Sequence, residues 1–197
     1  MEKSPSSFHM SSLQSLVDLC IQDPSSNTEA VLTHPAHFAP GERLLNIGDK
    51  HHNLYFFSKG LLKIVYCDKE GREIIRAFIT NGMFYLSLSS YLQNTGALCY
   101  VEAIEPCEAE YVSYTVISKG LETSLELNKV WRQYMNQHFV RHERRELELL
   151  SHKATQRYTR FLKDYPDLDA RLSRNLVASY LGVTEQSLSR IRKGLKT

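Results

Sequence analysis

The spacing of apolar and polar positions changes character three times along this chain. Over residues 13–34, Leu13, Leu16, Val17, Leu19, Val31 and Leu32 are interleaved with polar residues, which predicts one or two short helices behind a loose, Ser-rich start at residues 1–12. From Phe38 to Val116 short β-rich runs are punctuated by Gly41, Gly48, Gly60, Gly71 and Gly82. Short strands between regularly spaced glycine turns predict a small antiparallel roll or barrel. Within it, Leu61–Cys67 and Glu73–Ile79 flank Asp68, Lys69, Glu70 and Gly71, which reads as a hairpin with glycine supplying the positive φ.

From Ser118 to about Ser151 there is no proline, Gly120 is the only glycine, and Leu, Glu, Arg and Gln dominate. That composition predicts one long helix. Leu127, Trp131, Tyr134 and His138 follow one another at three or four residues, and Leu147 and Leu150 resume the stripe. A single stripe on so long a helix predicts packing on a sheet and on a second copy of the helix, hence a homodimer. The competing reading buries the stripe within the helix's own domain. A second helix, Lys153–Tyr165, is stopped by Pro166 and Asp167.

Residues 173–195 carry the sharpest pattern. Leu176, Val177, Tyr180 and Leu181 form the apolar face of a first helix, Ala178 is small where a second helix must approach, and Gly182 supplies a tight turn. Thr184 can cap the second helix, and Glu185 suits its positive end. On that helix Thr184, Leu188, Ile191 and Leu195 share the core side. Opposite them lie Gln186, Ser189, Arg190 and Lys193. Arginine pairs bidentately with guanine and glutamine with adenine, while serine and lysine commonly hold phosphate. These four are the expected DNA-reading residues, with Thr184, Glu185, Ser187, Arg192 and Arg174 completing the DNA side and Lys196 within reach of phosphates. The competing reading is a generic helix pair with a solvated polar face.

Charge supports a nucleic-acid partner only when read by segment. The 197-residue chain has a formal net charge of +2. Residues 151–197 hold ten Lys/Arg against four Asp/Glu, a net of +6, whereas residues 1–150 hold the other 14 bases and 18 acids, a net of −4. A basic module on an acidic body is the electrostatic footprint of a double-stranded-DNA-binding tail. Cys20, Cys67, Cys99 and Cys107 show no metal-finger spacing. There is no signal-like apolar core and no run of about 18 apolar residues, so a cytoplasmic protein with no membrane partner is expected.

On these residues the chain resembles the Crp/Fnr family of bacterial transcription regulators. The resemblance covers residues 30–195 and rests on FAPGERLLNIGD (38–49), LYFFSKGLLKIV (54–65), DKEGRE (68–73) and Asn81-Gly82, then on ATQRYTRFLKDYPDL (154–168) and LVASYLGVTEQSLSRIRKGL (176–195). It implies an α+β fold: a double-stranded, jelly-roll-type β-roll, a long dimerisation helix and a C-terminal winged helix-turn-helix. The segment from Asp167 to Arg174 is too short for a full wing hairpin, so a reduced wing is expected. The corresponding division is a sensor roll over 1–119, a dimerisation helix over 120–150 and a DNA-binding domain over 151–197. The family's last base-reading arginine falls on Arg190, its acidic reader on Gln186 and an earlier arginine on Glu185. The implied half-site therefore differs from the familiar one but keeps a guanine opposite Arg190. An activator of this family would also need RNA polymerase as a partner, through a surface the sequence does not mark.

The resemblance weakens where the family holds cyclic nucleotides. Its cassette uses a Gly-Glu pair and an Arg followed by a small hydroxyl residue; here Leu86 and Ser87, then Ala97 and Leu98, stand at those places. No Lys or Arg occurs between Ala77 and Ser118. A buried phosphate without a cation is costly, so cyclic AMP is not expected as a ligand. Tyr85, Leu88, Tyr91, Leu98 and Tyr100 make the region apolar and aromatic: packed core, or a candidate pocket for an uncharged effector. Only Cys20 lies where iron–sulfur members place a cysteine cluster, and His51 and His52 have no haem-supporting spacing, so no cofactor is assigned. Two other classes compete. A cupin-like metal enzyme would need a His-x-His pair on one strand face, which adjacent His51 and His52 do not give. A ligand-binding module without DNA binding is disfavoured by the intact outward face at 186–193.

Overall fold

The computed structural model describes residues 12–21, 32–50 and 52–195. Eight strands, β1 (His34–Phe38), β2 (Arg43–Leu45), β3 (Asn53–Lys59), β4 (Leu62–Cys67), β5 (Glu73–Ile79), β6 (Met83–Tyr85), β7 (Tyr100–Ala103) and β8 (Cys107–Ser113), form two four-stranded sheets. Their orders are β1-β8-β3-β6 and β2-β7-β4-β5, the interleaved connectivity of a β-roll. Helices are α1 (Leu13–Ile21), α2 (Leu88–Gln93), α3 (Tyr114–Thr123), α4 (Leu125–Ser151), α5 (Ala154–Asp164), α6 (Leu168–Arg171), α7 (Arg174–Leu181) and α8 (Glu185–Gly194). The chain divides into two compact units: Met1–Ile64 with Phe78–Asn136, and Val65–Ala77 with Gln137–Thr197.

In the first unit β3 is buried on both faces, which is why it reads as the apolar run Leu54-Tyr55-Phe56-Phe57. Leu54 and Phe56 join Phe84, Val112, Tyr114, Ile117 and Leu127, and α1 inserts Leu13, Leu16, Val17 and Cys20 into the same cluster. On the opposite face Tyr55 and Phe57 meet Phe38 at ring-centroid distances of 6.2 and 6.3 Å. Gly60 permits the closest turn: at φ +117° a Cβ there would lie 2.7 Å from Cys107 Cα.

The helix expected from Ser118 to Ser151 is two helices. Ser124 takes an extended conformation (φ −93°, ψ 113°), ends α3, and accepts the Leu127 N–H at 3.2 Å on its hydroxyl, so α4 begins with a capping serine. The stripe assigned to dimerisation faces inward. Leu127 is fully buried, and Trp131 and Tyr134 pack on the same cluster, with the Tyr134 hydroxyl donating to Phe84 O at 3.2 Å. These positions serve the helix's own domain because the sheet face supplied by Phe56 and Phe84 already covers them.

In the second unit the outer part of the β4–β5 hairpin lies with the helices. Asp68 Oδ1 accepts from Glu70 N and Arg72 N, fixing the turn at Gly71. Ser179 Oγ of α7 accepts from Ile75 N at 3.1 Å and donates to Glu73 O at 3.3 Å. Arg76 donates to His142 Nε2 at 2.7 Å, and His138 Nε2 lies 2.9 Å from that same atom. A His142 Nε2 that accepts from Arg76 requires a neutral His142 imidazole with its proton on Nδ1. His138, the last of the residues expected at a dimer interface, is thus part of this half-buried cluster. Burial first, then the neighbouring His142, Arg141 and Arg76, push its pKa down to about 3; burial, Arg76 and Arg141 lower that of His142.

This pair makes stability pH-dependent. Unfolded imidazoles near 6.5 bind protons that the folded pair refuses, so stability is full above about 6.5 and falls as the pH drops toward 3. The slope is on the order of 1 kcal/mol per pH unit for each proton. Urea unfolding at pH 7.5 and 5 should show a marked loss that His138→Leu reduces. Equal losses in both proteins would contradict the assignment.

The helices α5 to α8 share a core of Tyr158, Phe161, Leu168, Leu172, Val177, Ala178, Tyr180, Leu181 and Leu188. Among the described residues no strand follows Ser113, so the expected wing is reduced to the single turn α6 between α5 and α7.

Candidate nucleic-acid interface

Local signals fix the helix pair. Ser173 Oγ accepts from Leu176 N at 3.4 Å and starts α7, which ends at Gly182 with φ 65°, a left-handed conformation that glycine adopts without strain. Thr184 Oγ1 accepts from Ser187 N at 3.2 Å and caps α8. Leu188 is fully buried between the helices, and Ile191 is half-buried. Leu195 departs from the expected core side and is 48% exposed.

The opposite side of α8 is polar and open. Gln186, Arg190 and Lys193 are exposed, and Ser189 is half-buried. Arg174, at the start of α7, is also exposed, as are Thr184 and Glu185. The hydroxyl of Ser187 accepts from Thr184 Oγ1 at 3.0 Å and so belongs to the cap. Lys196 lies outside the described residues. Arg174, Ser189, Arg192 and Lys193 line a cleft of about 270 Å³.

Arg192 is held differently from the others. Its Nε donates to Tyr158 Oη at 3.1 Å, its Nη2 meets Asp169 Oδ1 at 2.7 Å, and Tyr158 Oη donates to Asp169 Oδ2 at 2.9 Å. Burial lowers the guanidinium pKa, but Asp169 and Tyr158 outweigh it and hold it above its ordinary value. Two further arginines fasten the module. Arg157 donates from Nε to Leu181 O at 2.9 Å and from Nη1 to His152 O at 2.7 Å, satisfying carbonyls at two helix ends. Arg145 stacks 3.9 Å over the Tyr180 ring and donates to Tyr180 O. Tyr158, Asp169, Arg157 and Arg145 were missed by sequence reasoning; apart from His152, five residues from Arg157, their partners are 11 to 35 residues away, and no local pattern marks them.

The candidate effector residues differ in exposure. Tyr85 and Tyr100 are buried, at 6% and 2% exposure, whereas Leu98 is 68% exposed. Tyr91 stacks edge-on against Tyr114 at 4.7 Å, and with Leu88 packs on the helical core. At the cassette positions Ser87 and Ala97 are buried. Two cations outside the cassette approach this region, which the sequence search between Ala77 and Ser118 missed. Arg43 lies 4.1 Å and Lys63 5.7 Å from the Tyr100 ring centroid, but both are paired with Glu102, at 3.3 and 2.8 Å. Burial raises the Glu102 pKa, and these two cations more than reverse it.

Among the described residues no cluster of three or more His, Cys, Asp and Glu could hold a metal ion, and no helix is long and apolar enough to cross a membrane. His51, one half of the cupin-type candidate pair, lies outside the described residues.

Residues 35–124 match the family model of the cyclic nucleotide-binding domain. The chain is 27% identical over 71 residues to the cAMP-activated global transcriptional regulator CRP of Pasteurella multocida, covering 36% of this chain and 34% of that protein. The match thus spans about a third of that relative's length. It is 22% identical over 176 residues to the cAMP-activated global transcriptional regulator Vfr of Pseudomonas aeruginosa, covering 83% and 82%. Among solved structures, FixK2 from Bradyrhizobium japonicum superposes with a TM-score of 0.69 at 22% identity, covering 84% of this chain and 85% of that one. The roll thus matches the cyclic nucleotide-binding domain over residues 35–124, and the fold as a whole is similar to that of FixK2.

Proposed function

We propose that this protein is a sequence-specific DNA-binding transcription regulator, acting as a homodimer on a near-palindromic operator and not controlled by cyclic AMP. The observation that carries the reading is the outward face of α8, where Gln186, Arg190 and Lys193 stand exposed on a helix anchored by Leu188. Relatives named as transcriptional regulators support it. Arg190 and Gln186 read base edges in the major groove, and Lys193 and Arg174 contact phosphates. Two copies pair through the side of α4 opposite the buried stripe, where Leu125, Phe139, Leu147 and Leu150 remain exposed. The roll biases the relative pose of the two heads through α4. A dimer that is always competent, and regulated by its abundance, is the second reading; the packed core at Tyr85, Tyr91 and Tyr100 favours it.

Selection of bound duplexes from a random pool tests the DNA reading. For the roll, the two nearby cations Arg43 and Lys63 both engage the Glu102 carboxylate and are held by it rather than directed at a cyclic phosphate. Titration calorimetry with cyclic AMP should therefore give no heat of binding up to about millimolar ligand, a range weaker than −4 kcal/mol. Micromolar binding would show that a cation is supplied from elsewhere.

A further inference from the structure

We propose that Tyr158 and Asp169 are positioning residues that hold Arg192 as the fixed wall of a seat for one backbone phosphate of the duplex. This rests on the DNA-binding reading above. The seat is the cleft of about 270 Å³ between the start of α7 and the outward face of α8, lined by Arg174, Ser189, Arg192 and Lys193.

Three cationic side chains, Arg174, Arg192 and Lys193, line the cleft, and Arg192 is paired with the Asp169 carboxylate. A phosphodiester carries one negative charge and four oxygens able to accept hydrogen bonds. Arginine has five N–H donors. In Arg192 one is committed to Tyr158 and one to Asp169, which leaves three for a ligand. Its side chain is three-quarters buried, as is that of Asp169. An arginine free in solvent loses rotamer entropy when a phosphate immobilises it. In Arg192 much of that freedom is already gone, because Tyr158, buried on α5, and Asp169, on α6, grip two edges of the guanidinium. The single turn α6 thereby joins the reading helix to α5.

Asp169 gives the test its sign. Asp169→Asn removes a negative charge near a polyanion, so if the carboxylate were only a neighbour, DNA binding would tighten. If it positions Arg192, binding weakens. Tyr158→Phe removes one hydroxyl, keeps the ring in the core and leaves the charge unchanged. Phosphate contacts carry no sequence information, so each variant should weaken a selected duplex and a random duplex by the same factor, about three- to tenfold, as expected for one net hydrogen bond. The ratio of the two affinities stays at its wild-type value. Arg192→Gln should weaken both and reduce the slope of log affinity against log salt by about 1.

The measurement is fluorescence anisotropy of the full chain with both duplexes, over about 50 to 200 mM salt. Wild-type affinity from Asp169→Asn, or tighter binding, overturns the proposal. A loss of the selected-to-random ratio in Asp169→Asn and Tyr158→Phe also overturns it, because that marks a distorted reading helix. If the wild-type chain binds neither duplex, the DNA-binding reading itself falls, and this one with it.

Discussion

The paired substitution Phe139→Glu with Leu150→Glu should leave the protein monomeric and move operator affinity into the micromolar range or weaker. Phe139 and Leu150 are 68% and 80% exposed. They are eleven residues apart, which at about 100° per residue brings them within about 20° of each other around α4. Leu125 falls on the same side. An exposed apolar line on a helix whose other side is already packed is the surface left for a second copy, and a two-fold axis presents every such residue twice. Burying one side chain of this size contributes about 1.5–3 kcal/mol, so four glutamates introduced across the interface, desolvated and of like charge, should abolish it. A monomer offers one reading helix instead of two. Specific affinities of this class, about 10⁻⁸–10⁻¹¹ M, correspond to roughly −11 to −15 kcal/mol, and half of that is micromolar or weaker. Sedimentation together with anisotropy decides it: a variant that remains dimeric places the interface elsewhere. Leu127→Ala is the informative contrast, because that side chain is buried within its own domain and its loss should lower stability rather than dissociate the dimer.

Arg190→Ala should remove discrimination for one guanine in each half-site at about 1–3 kcal/mol, or roughly 5- to 150-fold, with little effect on random duplex. Arg190 is exposed on the side of α8 opposite Leu188, and the Thr184 cap fixes where that helix begins. Arg192, two residues on, is occupied by Asp169 and Tyr158, so it is poorly placed to replace Arg190 at a base edge. Competition binding with duplexes altered at single positions measures the effect. Equal losses on specific and random DNA would make Arg190 a phosphate contact and transfer base reading to Gln186.

The helix pair α7–α8 was legible because its determinants are local. Gly182 and Thr184 specify where one helix stops and the next starts, and each takes the expected conformation or bond; the Ser173 cap was not anticipated. The β4–β5 hairpin was legible for the same reason, with Asp68 and Gly71 closing the turn. The orientation of α4 was not. Its stripe could be read at helical spacing, but periodicity does not say which neighbour covers a stripe, and Trp131 and Tyr134 found theirs in Phe84 and Tyr114. The exposed line through Phe139 and Leu150 is interrupted by Glu143 and Glu146, which hid it. The break at Ser124 carried one weak sign, a Thr-Ser pair ahead of Leu125, outweighed by the helical composition around it. Among the candidate effector residues, Leu98 is exposed and Tyr100 buried because residues 98 and 99 form a bend before β7, which no local pattern announced. Long-range pairs such as Arg76 with His142 and Arg192 with Asp169 are 66 and 23 residues apart and depend on the completed fold.

The central claim is that the outward face of α8 reads duplex DNA in a symmetric dimer. Selection of bound duplexes from a random pool, using the purified full chain, tests it most directly. The expected outcome is enrichment of a near-palindrome whose half-sites lie about one helical turn, 10–10.5 base pairs, apart, with an invariant guanine in each half-site. A pool that stays random through successive rounds, or enriches for a single asymmetric site, would contradict it.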